Sequence, residues 1–254
     1  TMSRVLKVSS ADVGRNVYFT DHKSDWWDPN SWFKPLIEMN SLNLLYIQDV
    51  LREKGFVKDE GGFRLCEDLR ILDVGCGGGL IAEPLARAGA NILGIDINKD
   101  CVEAAEEHAK LDPCLKNLKY KWESIEAHSL ENVEQYDVVI LNFVLHHVKN
   151  HDDLIRDCIK TLKPGGVIFL STISKNWGTW LRFVLVGEHI IRYVAPQSFD
   201  WHKFINFEDV QRILKQNKCD VENFRGISCD LVLAWIKWSD DTNNVYIMHA
   251  NKHQ

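Results

Sequence analysis

The spacing of hydrophobic residues changes character near residue 69. Over 31–54, Leu36, Met39, Leu42, Leu45, Tyr46 and Val50 recur at steps of three and four, the period that lines one face of a helix. From 69 onward, short apolar runs alternate with longer mixed stretches. "LRILDVG" (69–75) predicts a strand, 79–88 a helix, "NILGID" (91–96) a strand and 99–110 a helix. "LKYKWES" (118–124) and "YDVVILNFV" (136–144) predict strands, 151–162 a helix and "GGVIFLSTIS" (165–174) a strand. Two further strands are expected at about 219–227 and about 244–251. Several early runs are continuously apolar, as strands covered on both faces are. Helices between such strands imply right-handed crossovers and a parallel sheet. The late pair would add an antiparallel edge. The expected fold is α/β, with a doubly wound, mostly parallel, seven-stranded sheet. The polar, glycine-bearing stretch 55–68, "GFVKDEGGFRLCED", reads as a flexible connection between the first helix and the first strand.

Composition narrows the class. With 254 residues, 45% of them hydrophobic, the chain can bury one sizeable core. A net charge of -6 speaks against a nucleic-acid binder, which usually shows a basic face. Seven cysteines at irregular spacing, with no CxxC, read as reduced thiols of an intracellular protein, not a disulfide framework or a zinc site. No apolar run reaches the length of a membrane span, and no signal peptide is visible. The opening Thr1-Met2 reads as a tag remnant or a truncation point, so a removed targeting segment would leave no trace here.

The chemistry begins at "ILDVGCGGGL" (71–80). Gly75, Gly77, Gly78 and Gly79 leave the backbone bare between an apolar strand and a helix. In a doubly wound sheet, ligands bind at the carboxyl ends of the strands, where such a turn lies. The spacing does not match the dinucleotide fingerprint, because Leu80 stands where its third glycine should be, and no Lys-Ser/Thr follows to make a P-loop. A tight turn without ligand would also use glycines. Asp96, ending the second strand, stands where a carboxylate grips a ribose hydroxyl pair. A ligand with a ribose and no pyrophosphate fits both features.

"LDVGCGGG", "GID" (94–96), "YDVV" (136–139) and "LKPGG" (162–166) resemble the motifs of class I S-adenosylmethionine-dependent methyltransferases, whose fold is Rossmann-like. "WWD" (26–28), "FKPL" (33–36), "GLIAEPLARAGA" (79–90), "STISKNWGTWL" (171–181) and "PQSFDWHKF" (196–204) resemble, more closely, the O-methyltransferases of ubiquinone biosynthesis. The resemblance runs from about 16 to 250. It implies S-adenosylmethionine as cofactor, lying over the glycine turn. Asp73 would face its amine, Gly75 and Gly77 would let it approach, and Asp96, followed by Ile97, would hold the ribose. Ser124 and Ile125 would flank the adenine, and Asn142 would hold the methionine end. Read locally, Asp73 could instead cap a turn, and Ser124 and Ile125 could be turn and core. The implied organisation is an N-terminal helical extension (1–68) and a cofactor-binding domain (69–254) with a lid inserted at about 175–205.

The departures from that family are specific. Asn43 stands where it usually carries an arginine that touches the cofactor carboxylate. The family usually reads E-x-x-E-H after the fourth strand, with the carboxylates as magnesium ligands; here the run is Phe143, Val144, Leu145, His146, His147. Magnesium prefers oxygen ligands, so the metal is in doubt. Asp200 and Glu188 are the carboxylates that could replace the pair, and the histidines could hold a softer metal instead. His147, then His146, are the candidate general bases; His147 could also simply bond backbone at a helix start. In "WGTWLRFVLVGEHIIRYV" (177–194), Trp177, Trp180, Phe183, Val184, Ile190, Ile191 and Val194 give an apolar face punctuated by Arg182 and Arg192. It reads either as a lid packed on the core or as a surface that meets a membrane.

The expected activity is methyl transfer to a phenolic or catechol-like oxygen of a polyprenylated ring in ubiquinone biosynthesis. It would act on a small molecule at a membrane surface, in a biosynthetic complex, and not on nucleic acid. The site would be the matrix face of the mitochondrial inner membrane in a eukaryote and the cytoplasm otherwise. Two other readings stay open: a methyltransferase for another small molecule, and a catalytically silent, cofactor-binding scaffold.

Overall fold

The helical period of the N-terminal stretch becomes α1 (Lys34–Glu53), with Pro35 in its first turn, where a missing N–H costs nothing. The computed structural model describes residues 25–31, 33–58, 64–190, 199–230 and 235–254. Within α1 the buried stripe runs through Met39, Asn40, Asn43, Tyr46, Ile47, Val50 and Leu51. Leu45, expected inside, is exposed. The face of α1 that turns inward is thus partly polar, and periodicity of apolar residues alone misplaces it.

The stretch expected to be a loose connection is anchored at both described ends. β1 (Val57–Lys58) pairs antiparallel with β2 (Arg64–Leu65). Leu65 is buried, and its N–H donates to the Ala88 carbonyl at 2.8 Å. Residues 59–63 lie outside the described part.

The expected strands and helices that follow form with ends shifted by a few residues, and two helices not expected, Ile125–Glu131 and Phe207–Gln216, form in addition. β3 (Arg70–Val74), α2 (Ala82–Arg87), β4 (Asn91–Asp96), α3 (Lys99–Ala109) and β5 (Leu118–Trp122) come first. α4 (Ile125–Glu131), β6 (Tyr136–Asn142), α5 (His151–Thr161) and β7 (Leu162–Ile173) follow. Then come α6 (Phe207–Gln216), β8 (Cys219–Asp230), β9 (Trp235–Ser239) and β10 (Val245–Lys252). Among the described residues the main sheet has the order β5-β4-β3-β6-β7-β10-β8-β9. β5 through β7 are parallel, and β10, β8 and β9 are antiparallel. The sheet therefore has eight strands, one more than expected. The addition is β9, whose short "WIKWS" carries no clean alternation.

Both faces of the sheet are covered. Leu72 and Val74 of β3 pack with residues of α5 and α6 such as Ile155 and Ile213. Ile71, from the same strand, packs on the other face with Tyr46, Ile47 and Leu51 of α1 and Leu85 of α2. From β3 the chain runs outward to β4 and β5, then crosses back to β6. The order reverses between β3 and β6, which opens a crevice at their carboxyl ends. Val74, Asp96, Trp122 and Asn142 end their strands on that rim.

After β7 comes a short turn, Trp177–Thr179, and a π-helical stretch, Trp180–Ile190. Phe183, on the apolar face read either as core packing or as a membrane surface, is buried against Phe199, with ring centroids 5.7 Å apart. Trp177, Leu181, Leu185 and Ile190 carry the exposed apolar surface instead. Ile191, Arg192, Val194 and Pro196 lie outside the described residues. No helix among the described residues is long and apolar enough to cross a membrane.

At Gly226 the antiparallel edge leaves no room for a side chain. A Cβ there would sit 1.9 Å from the Asp241 carbonyl oxygen and 3.0 Å from that of Ser239, both backbone atoms. Gly226→Ala is expected to lower stability by about 1–3 kcal/mol, the usual range for overpacking. Urea unfolding of the two proteins measures this, and equal midpoints would contradict it.

Candidate functional site

The glycine turn is built by competition for space. Gly77 (φ +52°) and Gly79 (φ +88°) occupy left-handed backbone that side chains rarely adopt. A Cβ on Gly77 would lie 2.5 Å from the Trp26 ring, and one on Gly79 would lie 2.2 Å from the Tyr120 hydroxyl. The bare backbone therefore receives the protein's own aromatic rings as well as any ligand. Trp26 stacks on Phe33, with centroids 4.3 Å apart. Trp27 donates its indole N–H to the Gly78 carbonyl at 2.9 Å. It also stacks on His108 at 3.9 Å, and His108 Nδ1 is 2.8 Å from Oε1 of the buried Glu83. The N-terminal "WWD" segment is thus seated on the turn and latched to α2 and α3.

Asp73 sits directly before this turn. It is buried, and its Oδ2 has no hydrogen-bond partner among the described residues. Burial, reinforced by the nearby Asp96 charge, pushes its carboxyl up to about 7. A buried carboxylate lacking a donor is costly unless a cation or donor meets it. An ammonium group supplies both, so the site fits the amine of an amino-acid ligand.

Asp96 is already engaged. Its Oδ2 accepts from Gly77 N–H at 3.0 Å and its Oδ1 from Asn98 N–H at 2.8 Å. Burial raises its carboxyl above the ordinary value, against the pull of these bonds. It pins the glycine turn to the end of β4, and a carboxylate retains lone pairs for further donors. Ile97 is half-buried, and its carbonyl accepts from the Trp122 indole at 2.8 Å. Ser124 caps α4, its hydroxyl accepting from Ala127 N–H at 3.3 Å, and Ile125 is packed in the core. Their side chains take the local roles of turn and core.

At the other end of the crevice four polar groups interlock. Asn142 Oδ1 accepts from Asn43 Nδ2 and from Ser171 Oγ, each at 2.7 Å. Asn142 Nδ2 donates to Asn40 Oδ1 at 2.7 Å. Asn43 is fully buried, and its Oδ1 has no partner among the described residues. This network explains the two asparagines on the inner face of α1. Sequence reasoning missed Asn40, Ser171 and the seat made by Trp26 and Trp27; the break in the apolar stripe of α1 was the available signal for the first.

Beyond Asn142 the chain turns sharply. Phe143 has φ +57°, strained for a bulky residue, and is held by bonds from its N–H to the Ser171 carbonyl (3.0 Å) and hydroxyl (3.2 Å). His146 is buried, with Nδ1 3.3 Å from the Thr172 hydroxyl. Phe143, Phe199 and Phe204 surround its ring, at 6.2, 5.9 and 6.2 Å between centroids. Burial first, then the charges of His147, His151 and Lys203, hold its protonation far below the usual range, so the imidazole is neutral. His147 is half-buried and lies 4.2 Å from it, ring to ring. Glu188 accepts from the Phe199 N–H at 2.6 Å, and Asp200 accepts from the His202 N–H at 3.2 Å. Both carboxylates are used to shape the loop. Phe143 offers no ligand atom and His146 is boxed by rings, so these residues do not fit a magnesium ion. Among the described residues no group of three or more His, Cys, Asp and Glu is arranged to hold a metal.

Comparison with known proteins agrees with this geometry. The model of a methyltransferase domain matches residues 72–170. The ubiquinone biosynthesis O-methyltransferase of Aliivibrio fischeri is 32% identical over 249 residues, 98% of this chain and 99% of that protein. The mitochondrial protein of the same name from Dictyostelium discoideum is 34% identical, over 92% of this chain and 76% of its own length. That from Rattus norvegicus is 35% identical; the chain covers 65% of its length, and 60% of the mouse protein's. Among solved structures, magnesium protoporphyrin IX methyltransferase from Synechocystis with bound SAH superposes with a TM-score of 0.63 at 18% identity, covering 99% of this chain and 100% of that one. At that identity the likeness speaks for the fold, which is that of S-adenosylmethionine-dependent methyltransferases. The chain belongs to the ubiquinone biosynthesis O-methyltransferase family.

Proposed function

We propose that this protein transfers a methyl group from S-adenosylmethionine to a phenolic oxygen of a polyprenylated ring, as a step of ubiquinone biosynthesis. The observation that carries the cofactor half is Asp73, a buried carboxylate with an unpartnered oxygen beside a glycine turn. The names of the relatives support the acceptor half, and the word mitochondrial in the eukaryotic ones supports that compartment where the source is eukaryotic.

The cofactor, when bound, supplies an already activated methyl group. The chain's own residues have a modest task. Asp73 holds the amine, Asp96 accepts from the ribose hydroxyls, and Gly75 and Gly77 let the ligand approach the backbone. Asn142 orients the methionine end through its bonds to Asn40, Asn43 and Ser171. Asn43 stands where the family usually has a guanidinium, and its unpaired Oδ1 can only accept, so it does not replace that donor to the cofactor carboxylate. His147, the more accessible histidine, takes the phenolic proton, and His146 packs beside it as a neutral ring. Holding two reactants in line supplies much of the rate. No step here uses a metal. The aromatic lining left in place of carboxylates also favours a second reading, methylation of another small aromatic molecule.

Turnover of a short-chain catechol is the direct test. EDTA is expected to leave the rate within about twofold, and added magnesium to give no gain, since among the described residues Phe143 and His146 stand where that ion would need oxygen ligands. A strict magnesium requirement would overturn the metal-free reading. Cofactor binding with no turnover of any phenol would favour the silent scaffold.

Asp73 also links function to pH. Its folded-state value of about 7 lies above the ordinary carboxylate value near 4. Between the two, the folded protein holds a proton that the unfolded chain has released. The ligand-free protein therefore loses stability as pH rises from about 4 through about 7. Asp73→Asn is expected to unfold at a higher temperature than wild type at pH 8 and at a similar one below pH 4. Its cofactor affinity should fall at least tenfold, about the worth of one charge-assisted bond. Undiminished affinity by titration calorimetry would remove Asp73 from the site.

Trp177, Leu181, Leu185 and Ile190, exposed apolar residues of one segment, would supply the membrane contact that the resemblance implies. Such a face can lie in a lipid interface. Trp177→Asp with Leu181→Asp is expected to abolish co-sedimentation with anionic liposomes while sparing turnover of a soluble catechol. Wild-type protein that never sediments would argue against a polyprenyl acceptor.

A further inference from the structure

The polar network around Asn43 does not balance. Asn43 is fully buried, and its Nδ2 donates to Asn142 Oδ1 at 2.7 Å and to Ser171 Oγ at 3.2 Å, which uses both hydrogens. The Ser171 hydroxyl gives its proton to the same Asn142 oxygen at 2.7 Å. Asn142 Nδ2 gives one of its hydrogens to Asn40 Oδ1 at 2.7 Å. These bonds set the direction of the Asn43 amide, because the flipped amide would put its oxygen against that of Asn142. Asn43 Oδ1 is what remains, and it accepts nothing among the described residues. A buried amide oxygen without a donor loses its hydration and gets nothing in return.

The same imbalance recurs at Asp73, on the same face of the sheet. Asp73 pairs in register with Ile140, two residues before Asn142, and Asn142 pairs with Ser171. Ile71, Ile140 and Phe169, each two residues earlier on these strands, pack with Ile47 of α1. Side chains two apart share a face, so Asp73, Asn142 and Ser171 all stand on the side that α1 covers. Asp73 Oδ2 is buried and also accepts nothing among the described residues. The donors of the adjoining turn are spent. Gly75 and Cys76 N–H go to the Ile95 carbonyl, Gly77 N–H to Asp96 and Gly79 N–H to the Cys76 carbonyl. The Asp96 charge lies near enough to act on Asp73. This rim thus holds two orphaned acceptors and two carboxylates. Against them stand only neutral amide hydrogens of Asn40 and Asn142, with no cation among these residues. An ammonium answers both acceptors at once, whereas a ligand carboxylate is repelled by the aspartates.

We infer that Asn43 Oδ1 and Asp73 together receive the ammonium of the amino-acid ligand, and that the site selects for this amine and not for the carboxylate beside it; this rests on the cofactor reading proposed above. Asn43 is then a binding residue as well as a support for Asn142. The ligand class widens accordingly. Adenosyl thioethers and sulfoniums that end in a bare aminopropyl chain, as the decarboxylated cofactor does, keep every contact the rim offers most strongly.

The test is titration calorimetry of the full chain with three ligands. They are S-adenosylhomocysteine, its decarboxylated analogue, which keeps the amine, and its deaminated analogue, which keeps the carboxylate. Wild type is expected to bind the first two within about threefold of each other and the third at least about tenfold more weakly, the effect of losing a bond to a charged group. Asn43→Ala should weaken the two amine-bearing ligands by about tenfold and leave the deaminated one unchanged. Asn43→Ser, whose hydroxyl can still donate to Asn142 but whose oxygen is drawn back from the ligand, should do the same and guards against an alanine variant that fails to fold. Equal weakening of all three ligands would make Asn43 a support only. A wild type that binds the deaminated ligand as tightly as the decarboxylated one would overturn the selection. Both results leave methyl transfer standing. Failure of wild type to bind S-adenosylhomocysteine takes away the cofactor reading, and the inference with it.

Discussion

A carboxylate held out of water beside bare backbone is the constraint to which the other parts of this molecule answer. Asp73 is placed there by the parallel sheet: β3 must be covered on both faces, so its last residues enter the interior before the chain can turn. The turn that follows has to bend sharply under β4, which takes its Gly75 and Cys76 N–H groups on one carbonyl, that of Ile95. Its glycines then accept Trp26 and Tyr120 from outside. An energetic debt at one oxygen is thus surrounded by a rigid wall. Ligand affinity gains from such preorganisation, since little has to be ordered on binding.

The two ends of the crevice follow different physics. At the cofactor end, the groups are charged or hydrogen-bonded and nearly all engaged within the protein. At the proposed acceptor end, Phe143 and His146 stand where the family usually has carboxylates, and Phe199 and Phe204 pack on the His146 ring. Low polarity there strengthens any single charge that remains. The methyl transfer proposed above, which would begin with charge on both partners and end with less, would benefit from a site of this kind.

Much of this was legible in the chain before any coordinates. "NILGID" forms β4 over the residues expected, because an uninterrupted apolar run flanked by turn residues has few other solutions. The glycine turn and the carboxylates of Asp73 and Asp96 were readable from their places at strand ends. What escaped was set by three-dimensional neighbours. Leu45 is exposed and Asn43 buried because α1 meets the polar rim of the sheet, a fact no helical period contains. Ser124 caps α4, one of the two roles the sequence offered for it, since a hydroxyl at that turn suits a cap and a ligand alike. Which of the two readings of the 177–194 segment holds at Phe183 is decided by Phe199, sixteen positions away, whose ring it packs on. β9 was invisible because its pairing with β8 is decided by backbone register and not by its own composition.

The seat of Trp27 has a consequence for how the chain is made. Its indole is bonded to a residue 51 positions further along, and its ring rests on His108, further still. On a ribosome this segment emerges before its seat and has nothing to dock on until α3 has followed. Contacts of such long separation form late, after the nearer strands have paired. The glycine turn is therefore covered by a segment synthesised before it, and until that moment the nascent protein carries two adjacent indoles in search of a surface.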